Sequence, residues 1–285
     1  MTEHPQLSSA DAAALVRVPT ADDDKYSRGV VGFVTGSTRY PGAAVLGVEA
    51  ALRTGVGMVR YLGPARPTEL VLQRRPEAVA DEGRVQAWVV GSGMHDVSRE
   101  TLGDEAAERV GAALESGHPV VIDAGAIDAV SIERAVAAGS PVVVTPHVGE
   151  LARLLGRERS VVADAPLEAA REVAAHDGVV VLLKGHTTRA VAPGGAVVEA
   201  RSAPAWLATA GAGDALGGVL GALLASHADD LAADPDRSLL ARLAAAAAVI
   251  HGLAAERASG GGPLTVLDLC AAISPVIAEL VAGRE

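Results

Sequence analysis

Short runs of β-branched residues alternate with longer alanine- and leucine-rich stretches over most of this chain, and no other feature restricts its fold as strongly. Runs at 30–34, 58–62, 85–90, 120–122, 142–144 and 179–183 have strand length, while stretches at 42–53, 101–114, 132–138, 150–155 and 167–176 have helical period. Such alternation requires crossover connections, and therefore a mainly parallel central sheet with helices on both faces, a three-layer α/β/α class. Near-continuous apolar runs such as Val179-Val180-Val181-Leu182-Leu183 fit strands buried on both sides. After Lys184 the pattern changes. Segments 187–192 and 196–200 flank Pro193-Gly194-Gly195, which predicts a hairpin, and three helices are expected near 214–226, 237–258 and 265–282. No internal repeat and no Pro- or Ser-rich linker divides the chain, so 1–285 reads as one domain, with 1–25 an N-terminal arm or first helix.

The 285 residues include 24 Lys+Arg and 35 Asp+Glu, a formal charge of −11 at pH 7 with His neutral. That balance excludes most nucleic-acid binders, whose affinity rests on neutralising phosphates. Hydrophobic residues make up 49% and charged residues 21%, enough apolar side chain for a large core and too little charge for disorder. Aromatic residues are only 2%, which removes the stacking platforms that sugar and single-strand binders favour. The single cysteine, Cys270, has no internal disulfide partner, and no Cys/His cluster has zinc-ligand spacing. The N-terminus shows no basic start followed by an apolar run, and Arg242 and His251 interrupt the most apolar stretch, 238–258. A soluble, cytoplasmic protein is the expectation.

Open parallel sheets bind ligands at the carboxyl ends of their strands. Several loops there are rich in small or polar residues: Gly36-Ser37-Thr38-Arg39-Tyr40-Pro41-Gly42, Gly91-Ser92-Gly93-Met94, Asp123-Ala124-Gly125, Thr145-Pro146-His147-Val148-Gly149-Glu150 and Lys184-Gly185-His186-Thr187-Thr188. Any one of them is explained by glycine's habit of ending strands; their coincidence on one sheet edge points to a site. The sharpest signal is Thr209-Ala210-Gly211-Ala212-Gly213-Asp214, which runs into an Ala/Leu helix. Glycines let the backbone approach an anion, and free amides at a helix start favour phosphate oxygens, so Gly211, Ala212, Gly213 and Asp214 form a candidate anion hole. Asp214 suits the first turn of a helix for structural reasons alone, but a carboxylate beside an anion hole is also placed to take a proton from an attacking hydroxyl. Neither G-x-x-x-x-G-K-[ST] nor G-x-G-x-x-G spacing occurs there, which disfavours a P-loop enzyme or an ordinary dinucleotide dehydrogenase. Lys25 and Lys184 are the only lysines in an arginine-rich chain. Lys184 is either a snorkelling strand-end cation or a point charge for phosphate, and its rarity favours the second.

Residues 210–218, Ala-Gly-Ala-Gly-Asp-Ala-Leu-Gly-Gly, resemble the anion-hole motif of the ribokinase-like superfamily, whose aspartate is the base for phosphoryl transfer. Together with Tyr40-Pro41-Gly42-Ala43-Ala44, Thr145-Pro146-His147-x-Gly149-Glu150 and Leu183-Lys184-Gly185-His186-Thr187-Thr188, the chain from about Arg28 onward is similar to the ADP-dependent NAD(P)H-hydrate dehydratases. The resemblance implies a ribokinase-like fold. It also implies that Ala43, Gly93, His147 and Asp214 hold hydrated NADH or NADPH, and that Lys184, Gly185, His186, Thr187, Thr188 and Gly213 hold the adenine nucleotide. Glu150 would be linked to Mg²⁺ through water, and Asp214 would be the catalytic base. ADP would be the co-substrate, giving AMP and phosphate. A homo-oligomer, plausibly a tetramer, and a separate epimerase for the R epimer complete what the resemblance implies. A small-molecule kinase using ATP and a non-catalytic nucleotide-binding regulator are the competing readings.

Overall fold

The computed structural model describes residues 4–200 and 203–284. Its elements run α1 (Ser9–Ala14), β1 (Val30–Val34), α2 (Pro41–Thr54), β2 (Met58–Tyr61), α3 (Ala65–Arg74), β3 (Ala87–Val90), α4 (Arg99–Leu102), α5 (Asp104–Leu114), β4 (Val120–Ile122), α6 (Ala129–Ala137) and β5 (Val142–Val144). They continue with α7 (Val148–Leu154), α8 (Arg159–Asp164), α9 (Pro166–Asp177), β6 (Val180–Leu183), β7 (Thr188–Val191), β8 (Val197–Ala200), α10 (Ala212–Ser226), α11 (Ala228–Ala232), α12 (Ser238–Ser259) and α13 (Val266–Ala282). The eight strands form one sheet in the order β2-β1-β3-β4-β5-β6-β7-β8. The first six pair in parallel, and β7 and β8 add the expected antiparallel hairpin.

Valine-rich strands suit this position because successive side chains point to opposite faces and both faces are covered. Val121, Val143, Val180 and Leu182 enter one core beneath α2, α10, α12 and α13; Val120, Ile122, Val142, Val144, Val181 and Leu183 enter the other, beneath α5, α6 and α9. Helix α12 is long and apolar enough by length and composition to cross a membrane, yet most of it is buried against α1, α10, α13 and strands β6–β8.

The N-terminal segment contains a helix. Ser8 and Asp11 form a capping box at the start of α1, Pro5 and Leu7 exchange backbone hydrogen bonds with Glu199, and Ala12 and Ala13 are buried; Met1–Glu3 lie outside the described residues. Helix α3 is absent from the sequence expectation because only Pro67 and Val71 of its ten residues are buried, too few to write a helical period. It is held instead by charge. Glu49, on the inner face of α2, receives Arg53 at 2.7 Å, Arg74 at 3.2 Å and Arg75, and the last two belong to α3 and its end.

Helices α2 and α10 cross at very close range. A Cβ on Gly218 would lie 2.2 Å from the Gly47 carbonyl oxygen, so only glycine allows the approach. This contact sets the start of α10 beside the start of α2.

Candidate active site

Four neighbouring parallel strands each deliver a polar side chain within two residues of their carboxyl ends: Ser92 after β3, Asp123 after β4, Thr145 after β5 and Lys184 after β6. Asp123 is 3% exposed and is the centre of the group. Ser92 Oγ donates to its Oδ2 at 2.8 Å, while Thr145 Oγ1 at 2.6 Å and Lys184 Nζ at 2.8 Å donate to Oδ1. Burial by itself would raise the Asp123 pKa, but the charge and hydrogen bond of Lys184, with those of the two hydroxyls, hold it below the ordinary carboxylate value. Burial likewise opposes the charged form of Lys184, and Asp123, Glu150 and Asp214 together outweigh it and raise its pKa. The Lys184 ammonium also lies 3.6 Å from Glu150 Oε2.

Helix α10 begins directly opposite. Gly211 takes a left-handed backbone, φ +93°, which turns the chain into the helix. The Ala212 amide donates to Thr209 and the Ala215 amide to Gly211. Gly213 and Asp214, between them, have no backbone acceptor among the described residues, and no side chain caps the helix. Two adjacent amides thus face outward at the positive end of a 15-residue helix. Lys184 Nζ approaches within 3.7 Å of where a Gly213 side chain would begin. Asp214, in the same turn, is partly buried. Desolvation and then the negative charge of Asp123 push it up to about 7, against the opposite pull of Lys184. A carboxyl titrating there is suited to accepting a proton near neutral pH.

His147 is the N-cap of α7. Its Nδ1 accepts the Glu150 amide at 3.0 Å, and Glu150 Oε2 accepts the His147 amide at 2.8 Å, a capping box with histidine in the usual Ser/Thr place. The Lys184 amide donates to Pro146, which ties this helix start to the end of β6.

A cavity of about 730 Å³ opens beside these groups. Lys184, Gly185, His186, Thr188 and Gly213 line it, and Thr187 does not. His147 also lines it, held next to the β6 end by its capping role. The far wall is apolar, formed by Ala200, Pro204, Leu207, Leu216 and Ala248, with the buried His251 among them. Burial lowers the His251 pKa to about 4, so its ring is neutral at ordinary pH.

Ala43 and Gly93, which do not line this cavity, sit at the point where the sheet order reverses between β1 and β3. They touch each other: a Cβ at Gly93, φ +70°, would lie 2.4 Å from that of Ala43, and Ala43 is buried. Sequence reasoning flagged the Asp123 loop but did not single out Asp123, Ser92 or Thr145. The available signal was an acidic residue directly after Val120-Val121-Ile122.

A mostly parallel sheet closed by an antiparallel hairpin, with an uncapped helix start and a carboxylate facing the strand ends, defines a ribokinase-like α/β protein. A ribokinase-like superfamily protein from Enterococcus faecalis superposes on 97% of this chain and 96% of its own with a TM-score of 0.77 at 20% identity. The ADP/ATP-dependent NAD(P)H-hydrate dehydratase from Bacillus subtilis does so over 98% of this chain and 100% of its own, with a TM-score of 0.80 at 23% identity.

The family model described as NAD(P)H-hydrate dehydratase matches residues 31–273, and the chain belongs to that family. It is 34% identical over 250 residues to the ADP-dependent (S)-NAD(P)H-hydrate dehydratase of Neisseria meningitidis, covering 82% of this chain and 79% of that protein. It is 43% identical over 228 residues to the bifunctional NAD(P)H-hydrate repair enzyme of Mycobacterium tuberculosis, covering 77% of this chain. The chain spans about half the length of the bifunctional relatives from Mycobacterium tuberculosis and Corynebacterium glutamicum, 46% and 49% respectively.

Proposed function

We propose that this chain dehydrates (S)-hydrated NADH and NADPH at the expense of ADP, releasing AMP and phosphate. The observation that carries the reading is the juxtaposition of the Gly213 and Asp214 amides, the Asp214 carboxyl and the Lys184 ammonium on one rim. Hydroxide is a poor leaving group, so the C6 hydroxyl of the hydrated ring must first be esterified. Asp214 takes the hydroxyl proton, the oxygen attacks the β-phosphorus of ADP, and AMP departs. The α10 amides and Lys184 stabilise charge on the phosphoryl group in transit. The ring nitrogen lone pair then expels phosphate and C5 loses its proton, which restores the dihydronicotinamide.

The nucleotide occupies the cavity lined by Lys184, Gly185, His186, Thr188 and Gly213, its base against the apolar wall and its phosphates toward α10. Thr187 belongs to the same loop, between His186 and Thr188, and is assigned to the nucleotide with them. The dinucleotide lies toward Ala43 and Gly93, reaching Asp214. His147 stands at the boundary between the two ligands.

Among the described residues, no group of three His, Cys, Asp or Glu side chains is arranged to hold a metal. Glu150 keeps Oε1 outside its capping bond, 3.8 Å from His147. One such carboxylate oxygen fits Mg²⁺ carried mainly by nucleotide phosphates and water, with Glu150 acting through water. When bound, the ion neutralises phosphate charge.

Recovery of dihydronicotinamide absorbance from hydrated NADH, compared with ADP and with ATP, tests the reading. Accumulation of a stable phosphoester would mark a small-molecule kinase, and binding of ADP without turnover a regulator. The same reading places the chain in the cytoplasm, as a homo-oligomer, working with an epimerase that supplies the S form. The whole chain 1–285 is read as one dehydratase domain, and a single cooperative unfolding transition checks this.

Lys184→Ala is expected to weaken ADP on the order of ten-fold or more, with a much smaller effect on the dinucleotide, since the lost group is a cation directed at phosphate. Calorimetry with each ligand checks this, and unchanged ADP affinity in a folded variant reassigns Lys184 to structure. Ala43→Leu overpacks the contact with Gly93 and should cost about 1–3 kcal/mol of stability. Its turnover defect should appear as a raised KM for hydrated NADH; a variant that loses ADP instead reverses the assignment of the two sides.

A further inference from the structure

Asp123 is buried at the centre of the strand-end row, yet it does not line the nucleotide cavity and belongs to none of the roles proposed above. Its two oxygens are fully committed: Oδ2 to Ser92, Oδ1 to Thr145 and Lys184. The donors follow directly on β3, β5 and β6, so the pairing of these strands brings them together around Asp123. A lysine side chain has a flexible four-carbon stem and a point charge with no directional preference of its own. Lys184 here has three carboxylates within reach, Asp123 at 2.8 Å, Glu150 at 3.6 Å and Asp214 across the rim. Without an anchor it would be free to move onto Asp214, where it would compete for the carboxylate that must accept a proton.

We propose that Asp123 is a positioning residue: held by Ser92 and Thr145, it fixes the Lys184 ammonium beside the amides at the start of α10, presetting a cation for the transferring phosphoryl group and keeping it off Asp214. This rests on the reading of the site as an ADP-dependent phosphoryl-transfer centre. In this role Asp123 acts through Lys184 and, by its charge, on Asp214, and touches neither ligand, which distinguishes it from a residue that touches substrate. The preset position lowers the ordering cost of phosphate binding and places the charge where it develops.

The test is a double-mutant cycle in the full chain with Asp123→Asn, Lys184→Ala and the pair. ADP binding is followed by calorimetry, turnover with hydrated NADH by absorbance, and folding by thermal melting. Asp123→Asn keeps the shape and the ability to bond Ser92 and Thr145 while removing the charge. It is expected to lower kcat/KM for ADP on the order of ten-fold, and the pair is expected to be no worse than Lys184→Ala alone within about two-fold. Effects that multiply in the pair, or an Asp123→Asn variant within two-fold of wild type, overturn the proposal.

Should Asp123→Asn fail to fold, Ser92→Ala combined with Thr145→Val removes both anchors and leaves the charge pair. A several-fold loss of ADP affinity that disappears in the Lys184→Ala background supports the positioning role, and an unchanged affinity overturns it. Wild-type binding of ADP and wild-type turnover are measured in the same series. A wild type that does neither overturns the underlying reading as well, whereas an active wild type with an unaffected Asp123→Asn variant overturns the positioning role alone.

Discussion

Asp214→Asn is expected to lower kcat with hydrated NADH by about 10²–10⁴-fold while leaving ADP affinity within a few-fold of wild type. The substitution keeps the outline of the side chain and both α10 amides but removes the carboxylate proposed to accept the C6 hydroxyl proton. Because burial and the neighbouring Asp123 charge push this carboxyl up to about 7, the wild-type protein holds a substantial protonated fraction at and below neutrality. The protonated acid cannot serve as base, so kcat/KM should rise with pH through about 7 and level off above it. The rising limb should be missing from whatever activity the Asn variant retains. Stopped assays across pH 5.5–9 with both proteins check the two statements together; near-normal kcat in the variant removes Asp214 from the mechanism.

Glu49→Ala carries the largest expected effect on stability. The wild-type carboxylate is fully buried and receives Arg53, Arg74 and Arg75. Removing one partner of a buried ion cluster costs up to about 3–5 kcal/mol, and the three arginines, 22–44% exposed, recover part of that from water. Chemical denaturation should therefore show a large drop in midpoint, and α3, which has almost no apolar anchor of its own, should detach first in hydrogen exchange. Burial alone would raise the Glu49 pKa, but the guanidinium groups of Arg75, Arg53 and Arg74 outweigh it and bring it down to about 2. The sign follows directly. The folded carboxyl titrates below the unfolded one, so its contribution is fully present above pH 4.5 and is lost as pH falls from 4.5 toward 2. Stability measured at pH 5 and pH 3 should differ less in Glu49→Gln than in wild type; an equal difference would show that other carboxylates govern the acid limb.

The alternation of β-branched runs with helical stretches was sufficient to predict the layered sheet, its parallel pairing and the terminal hairpin, because these follow from side-chain periodicity within each segment. The glycine-rich turn at 211–214 and the lone strand-end lysine were likewise legible, since a turn that needs glycine and a rare cation are each written in a few adjacent residues, whereas the capping pair of His147 and Glu150 came only with the structure. What the chain could not display locally was partnership. Asp123 meets Lys184 across 61 residues, and Glu49 meets Arg74 across 25. Strand register brings the first pair together and helix packing the second. Helix α3 escaped notice for the same reason, as its hold on the fold is electrostatic and lies on another element. His147 was legible as a residue of the strand-end loops, and the bond between Pro146 and the Lys184 amide, which sets it beside β6, was not. Local chemistry thus determined which groups this protein carries to its sheet edge, and tertiary packing decided which of them face one another and how strongly each is charged.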